Sequence, residues 1–273
     1  MSRVSKAVVL AAGLGTRMRA ALPDTPGAAR LDPAQARAAD AGLKAMIPVG
    51  RPFLDHVLHN LADAGMSAAC IVIGPEHDIV REHYDAMKTT RIALHFTVQH
   101  ERRGTADAVA AAASFIGDDH VLVVNGDNLY PVSACRTLGE YGAPALAGFT
   151  AAGLLADGLI PEERLLRFAF VDARDGWLTR ILEKPEAGAR DALGPRPLIS
   201  MNCWLLPPSI VDVARRLPLS PRGELELPLA VEAMTAEGTR FRVFPCDEPV
   251  LDLSMRSDIA LVAARLEGRA VRL

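Results

Sequence analysis

Two glycines, a threonine and an arginine close the first apolar run of this chain: Ala7-Val8-Val9-Leu10-Ala11-Ala12 is followed by Gly13-Leu14-Gly15-Thr16-Arg17. Glycine lets successive backbone N–H groups turn toward one point, and a guanidinium offers a rigid fork of donors to an oxyanion. With a helix N-terminus behind the turn, these residues make a cradle for a polyphosphate. A plain surface turn would use the same glycines. Two other glycine patterns do not fit. The dinucleotide pattern G-x-G-x-x-G needs a third glycine where this chain has Met18, which removes the close helix-to-strand packing that glycine permits. The phosphate loop GxxxxGK[ST] does not match either. A second apolar run, Val121-Leu122-Val123-Val124-Asn125-Gly126-Asp127, ends on a carboxylate. The carboxyl end of a buried strand is where α/β sheets bind ligands.

Positioning these groups requires strands with helices between them. Short continuous apolar runs recur at Lys6–Ala12, Ala68–Gly74, Ile92–Gln99 and His120–Asp127. Phe53, Leu54, Val57, Leu58 and Leu61 have helical spacing and end at Gly65, and Thr105–Ile116 reads as an alanine-rich helix. Continuous rather than alternating apolar strands, separated by helices, predict an α/β, doubly wound, mostly parallel sheet with helices on both faces. After about residue 145 the pattern turns β-rich. Two strands flank Asp175-Gly176, a hairpin signal, and further strands are expected at Leu198–Leu206, Phe241–Asp247 and Val250–Ser254, with a helix near Ser257–Gly268. The chain reads as one domain, 1–273, with halves 1–145 and 146–273. Residues Ala20–Gly42 form a long insertion, part loop and part short helix. Beside a glycine turn, a loop that long is either a lid or without fixed structure.

Composition excludes several classes. Half of the 273 residues are apolar, enough for a full core without disulfides or metals. The net charge of −3 lacks the basic excess of a nucleic-acid surface. No apolar run reaches the roughly 18 residues that span a bilayer. The apolar run near the N-terminus is too short for a signal peptide and ends in glycines and an arginine. Four cysteines, Cys70, Cys135, Cys203 and Cys246, are too far apart for a zinc motif and read as buried free thiols of a reducing cytoplasm. Of the seven histidines, His56, His59, His77, His83 and His100 among them, none shows zinc-site spacing, and they read as surface or helix residues. No nucleophilic-serine or kinase motif supports a covalent route.

The string Leu10-Ala11-Ala12-Gly13-Leu14-Gly15-Thr16-Arg17-Met18, followed by Gly42-Leu43-Lys44-Ala45-Met46-Ile47-Pro48-Val49-Gly50-Arg51-Pro52, resembles the sugar-1-phosphate nucleotidylyltransferase family. Nearly the whole chain is covered, by several separated motifs in the expected order. The resemblance implies a Rossmann-like sheet with a small β-rich sugar-binding subregion. It also implies transfer of a nucleotidyl group from a nucleoside triphosphate, UTP or dTTP favoured, to a sugar 1-phosphate, with Mg2+ as cofactor and homo-oligomeric assembly.

Residue by residue, Leu10, Ala11, Ala12, Gly13, Gly15 and Thr16 would hold the nucleotide, and Arg17 its triphosphate tail. Gln99 with Gly104-Thr105-Ala106 matches the family's base-binding element; an amide both donates to and accepts from a pyrimidine edge, while Thr105 could equally cap the helix it opens. Asp127 would hold magnesium with a second carboxylate, Asp252, although Ser254-Met255 follow where the family has Gly-Thr. Glu183 and Lys184 would bind the sugar and its phosphate, and Asn202, Arg222 and Glu224 stand where further sugar contacts fall. Lys44 would sit near the α-phosphate. It follows Arg17 by 27 residues, far more than in relatives, so the insertion must fold back for Lys44 to reach its place. Other readings are an inactive nucleotide-sugar-binding regulatory homologue, or transfer involving another triphosphate or a non-sugar phosphate.

Overall fold

Each apolar run of the first half forms a strand because its residues have two cores to fill. In β1 (Lys6–Leu10) Ala7 and Val9 enter one buried cluster and Val8 the other. A residue on either face of a strand buried on both sides loses its apolar surface to a covering helix. Helix Phe53–Asp63 covers one face through Phe53, Leu54 and Leu58, all fully buried, and helices Thr105–Ala111 and Leu227–Ala236 cover the other through Val109 and Val231. The computed structural model describes residues 3–20, 31–183, 188, 193–194 and 196–273.

The remaining strands are β2 (Ala68–Ile73), β3 (Ala93–Val98), β4 (Val121–Asn125), β5 (Asn128–Leu129), β6 (Ala145–Phe149), β7 (Ala169–Arg174), β8 (Trp177–Glu183), β9 (Leu198–Leu206), β10 (Arg242–Cys246) and β11 (Leu251–Asp252). Nine of them form one sheet in the order β3-β2-β1-β4-β9-β6-β10-β8-β7. Strands β3, β2, β1 and β4 are parallel, as are β6 and β10, whereas β9 runs antiparallel between β4 and β6. The doubly wound α/β class expected from the sequence is therefore present, with β8 and β9 running against the other strands of the sheet. The carboxyl ends of β1 to β4 consequently share one edge.

The hairpin forms as its turn residues require. Asp175 (φ 52°) and Gly176 (φ 76°) both adopt positive φ between β7 and β8, the turn that matches the twist of paired strands. Strand β7 also pairs with the first residues of β9 (Phe170 opposite Ile199), beyond the last β4–β9 pair at Val123–Trp204. The second half thus stands over the carboxyl edge of the first. A separate two-stranded ladder sets Asp252 of β11 opposite Asn128 of β5.

Part of the insertion is ordered. Helix Pro33–Ala41 begins with an Asp32–Gln35 capping box and stops at Gly42 (φ 73°); residues 21–30 lie outside the described residues. Arg256 bonds Asp40 and the Ala36 carbonyl at 2.5 and 3.3 Å, holding the helix against the start of the C-terminal helical segment.

Candidate active site

The glycine turn and the end of the insertion are built against each other. A Cβ on Gly15 (φ 61°) would lie 2.4 Å from the Gly42 carbonyl oxygen, and one on Gly42 would lie 2.5 Å from that of Leu14. Only glycine at both positions allows this approach. Arg19 Nη2 donates to the Ala41 carbonyl (2.8 Å), and the Lys44 N–H to the Gly42 carbonyl (3.0 Å). Lys44 is thereby carried to the turn despite its distance from Arg17 in sequence, and its Nζ lies 2.6 Å from Asp127 Oδ2.

Asp127 arrives from β4. The Gly126 N–H donates to the Leu10 carbonyl (2.9 Å), stitching the loop after β4 to the end of β1. Met18, where a dinucleotide pattern has glycine, is fully buried and anchors the turn by packing. Helix Thr16–Arg19 is a single turn, so what the turn offers an anion is its backbone N–H groups and Arg17, with little help from a helix dipole.

A cleft of about 450 Å³ opens along this edge. Leu10, Ala11, Ala12, Gly13, Gly15, Thr16 and Arg17 line one wall, Lys44 and Asp127 another, and Gln99, Gly104 and Thr105 a third. A second cavity of about 710 Å³ adjoins it, lined by Glu183, Arg222 and Asp252. Thr16, Arg17, Thr105, Asp127, Asn202 and Glu224 border both. Every candidate among the described residues thus faces one of two connected spaces. Lys184 lies outside the described residues.

Gly104 (φ 123°) brings the start of helix Thr105–Ala111 against the loop from the second half; a Cβ there would lie 2.5 Å from the Leu225 carbonyl oxygen. The Ala106 N–H donates to that oxygen (2.8 Å), and Thr105 Oγ1 accepts from the Leu227 N–H (2.9 Å). Thr105 therefore does not cap its own helix, whose N-cap is Gly104; its hydroxyl ties two halves of the cleft together. Asn202 holds positive φ (59°) without being glycine, a conformation asparagine tolerates better than most residues, and its Oδ1 accepts from Trp204 Nε1 (3.2 Å). Arg222 is bidentate to Glu226 (3.0 and 2.6 Å), which raises its pKa further and partly offsets its charge.

Asp252 is buried and accepts from Asn128 Nδ2 (3.0 Å), Ser254 Oγ (2.5 Å) and Arg164 Nη1 (3.3 Å). Arg164 in turn pairs with buried Asp258 at 2.8 Å. Burial first, and the neighbouring charge of Asp127 second, push the Asp252 carboxyl above the usual carboxylate range, with Ser254 and Arg164 opposing. Two carboxylates that repel each other across one cavity suit a hard divalent cation, which takes oxygen ligands and keeps several waters. Asp127 and Asp252 are the residues that would hold it. No group of three or more acidic, histidine or cysteine side chains capable of holding a metal occurs among the described residues.

Several lining residues carry no sequence signal. Arg102 Nε donates to the Ala12 carbonyl (2.6 Å) and its guanidinium pairs with Glu76, steadying the glycine turn from the β3 side. His77, expected at the surface or in a helix, stands buried at the N-cap of helix Asp78–Asp85 and borders the cleft. It accepts from the Gly74 N–H (3.3 Å), and burial lowers its pKa. Asn125, Asn128 and Arg167 also line the cavities. Buried His56 and His59 belong to helix Phe53–Asp63. The four cysteines are buried and unbridged, as expected. No helix among the described residues is long and apolar enough to cross a membrane.

A doubly wound sheet with a glycine turn, two cations and two carboxylates at its carboxyl edge defines a protein that handles phosphorylated nucleotides. The nucleotidyl transferase family model matches residues 38–248, and the chain belongs to that family. It is 26% identical over 263 residues to the UTP–glucose-1-phosphate uridylyltransferase AglF of Haloferax volcanii, covering 96% of each chain. It is 24% identical to the UTP–glucose-1-phosphate uridylyltransferase of Bacillus subtilis strain 168, covering 86% of this chain and 81% of that one. Among solved structures, a UDP-glucose pyrophosphorylase complexed with UDP-glucose shares the fold, with a TM-score of 0.72 at 15% identity over 99% of this chain and 100% of the other.

Proposed function

We propose that the protein transfers a nucleotidyl group from a nucleoside triphosphate, UTP or dTTP favoured, to a sugar 1-phosphate, releasing pyrophosphate. The observation that carries this reading is the meeting of Arg17 and Asp127 on the wall shared by the two cavities, with Lys44 reaching Asp127 from the wall of the first. The named activities of the relatives support it.

The nucleophile, a phosphate oxygen of the sugar phosphate, is already an anion and needs no general base. It attacks the α-phosphorus and pyrophosphate leaves in line. The obstacle is repulsion between two polyanions, so catalysis is positioning and electrostatics. Arg17 would hold the triphosphate tail and stabilise the departing pyrophosphate. Lys44, now on Asp127, would turn its ammonium to the α-phosphate. Glu183 would accept hydrogen bonds from sugar hydroxyls, Asn202 and Arg222 would position the sugar phosphate, and Lys184 would neutralise it. Mg2+, held by Asp127 and Asp252, would supply further charge neutralisation at phosphate oxygens when bound. The two halves act as one domain in this scheme. The net negative charge and unbridged thiols support a cytoplasmic enzyme of small-molecule substrates, without nucleic-acid or membrane partners; homo-oligomeric assembly rests on the family resemblance alone.

The test crosses five nucleoside triphosphates with several sugar 1-phosphates in Mg2+ and reads pyrophosphate. Release with at least one sugar phosphate, best with UTP or dTTP, is the expected result. Nucleotide-sugar binding without pyrophosphate release under any pairing would replace the enzyme with a regulatory binder.

A further inference from the structure

Gln99 stands at the end of β3, buried apart from 5% of its surface, and borders the nucleotide cleft. Its side-chain nitrogen is committed within the protein. Nε2 donates to the Gly104 carbonyl at 2.9 Å and to Asp107 Oδ2 at 2.8 Å. An amide nitrogen has two hydrogens, so both are used, and Oε1 is the polar atom left to meet a ligand. The reverse orientation would set Oε1 against a carbonyl oxygen and a carboxylate, neither of which can donate. Asp107 lines neither cavity. It lies in the first turn of helix Thr105–Ala111, and its other oxygen accepts from Arg103 Nη2 at 2.9 Å.

We propose that Asp107 is a positioning residue that locks the Gln99 amide with its oxygen toward the cleft, so that the site selects pyrimidines carrying an N3–H over cytosine. This deepens the proposed function and rests on its reading of the cleft as the triphosphate site. Uracil and thymine present N3–H as a donor between two carbonyls. Cytosine has a bare acceptor at N3, which would face Oε1 lone pair to lone pair. The amide alone could serve either base by flipping; the carboxylate behind it removes that freedom.

Asp107→Asn tests the lock because Arg103 can only donate. Arg103 draws the asparagine oxygen to itself, which turns the asparagine amino group toward Gln99 Nε2, donor against donor. One of the two bonds that hold the amide is lost, leaving the Gly104 carbonyl alone. The ratio of UTP to CTP affinity, measured by calorimetry on the full chain in Mg2+, should fall about tenfold, the worth of one hydrogen bond to a charged group. Removing Arg103 as well, in Arg103→Ala/Asp107→Asn, lets the asparagine turn its oxygen back to Gln99, and the ratio should return to within about threefold of the parent. A purely structural role for Asp107 would not be rescued by deleting a second charge. Arg103→Ala alone should keep the parent ratio.

Three results would overturn the inference: a parent protein that binds UTP and CTP equally, an Asp107→Asn ratio equal to the parent's, or a fall that the double variant does not reverse. The parent comparison needs no variant and so stands even if Asp107→Asn does not fold. A parent that binds neither triphosphate overturns the proposed function instead, which keeps the two failures distinct.

Discussion

Replacing Gly42 with alanine separates the effect of backbone conformation from the effect of close approach. Gly42 and Gly50 both hold positive φ, 73° and 83°, so alanine carries a similar conformational cost at each, about 1–2 kcal/mol. Their surroundings differ. A Cβ at Gly50 meets nothing within 4 Å, whereas one at Gly42 lies 2.5 Å from the Leu14 carbonyl oxygen, 0.9 Å inside the 3.4 Å at which ordinary contact begins. Because the opposing atom is backbone, the turn and the end of the insertion must part by most of that amount. Lys44 follows two residues later and its N–H is bonded to the Gly42 carbonyl, so the ammonium moves with it. Misplacing a reacting group by about 1 Å costs on the order of 100-fold in rate. Gly42→Ala should therefore lower kcat about 100-fold, read as pyrophosphate release at saturating substrates. Gly50→Ala should lose stability to urea by about 1–2 kcal/mol and keep its rate. Equal rates in the two variants would refute the argument that the glycine contact delivers Lys44.

Asp127→Asn should reduce turnover by about 100- to 1000-fold, the usual loss for one electrostatic group of the transition state, with an unchanged melting curve; parent-like turnover would remove Asp127 from the site. Arg164→Met leaves Asp252 and Asp258 buried without their cation, and urea unfolding should register a loss of about 3–5 kcal/mol; a loss below about 1 kcal/mol would mean that Asn128 and Ser254 suffice to hold Asp252. Burial, aided by the charge of Arg269, pushes the His56 imidazole from 6.5 down to about 4. The unfolded chain binds this proton below pH 6.5 while the folded chain refuses it until about pH 4, so stability falls through that window by about 3 kcal/mol. His56→Leu should therefore gain about 2–3 kcal/mol relative to the parent between pH 7 and 4.5; parallel pH profiles would contradict the burial assignment.

The sequence announces a group most clearly where one local feature decides it. The helix at Phe53–Asp63 follows from apolar spacing alone, and Asp175-Gly176 sets the hairpin because both residues tolerate positive φ. β6 has no such feature: Ala145-Leu146-Ala147-Gly148-Phe149 contains no β-branched residue, and it is a strand because β9 and β10 flank it. The antiparallel placement of β9 is likewise a matter of topology and has no local signature. In the site, the glycine turn, Gln99 and Asp127 each end a readable strand. Lys44 was recognisable by motif, yet its delivery depends on Gly15 meeting Gly42 across the insertion. Arg164 touches Asp252 from 88 positions away, and Arg102, His77 and Asp107 are ordinary polar residues in loops or a helix turn. Their importance comes from what they touch, which spacing does not encode.

The position of β9 also bears on how the chain is made. β4 and β6 are each complete before residue 150, but the slot between them is filled by residues 198–206. Until that segment has left the ribosome, both strands present bare hydrogen-bonding edges, the surfaces on which nascent chains aggregate. Synthesis stalled in the interval should yield a species that needs chaperone cover, and severing the gene near residue 145 should give fragments that remain insoluble apart and recover a sheet only when produced together.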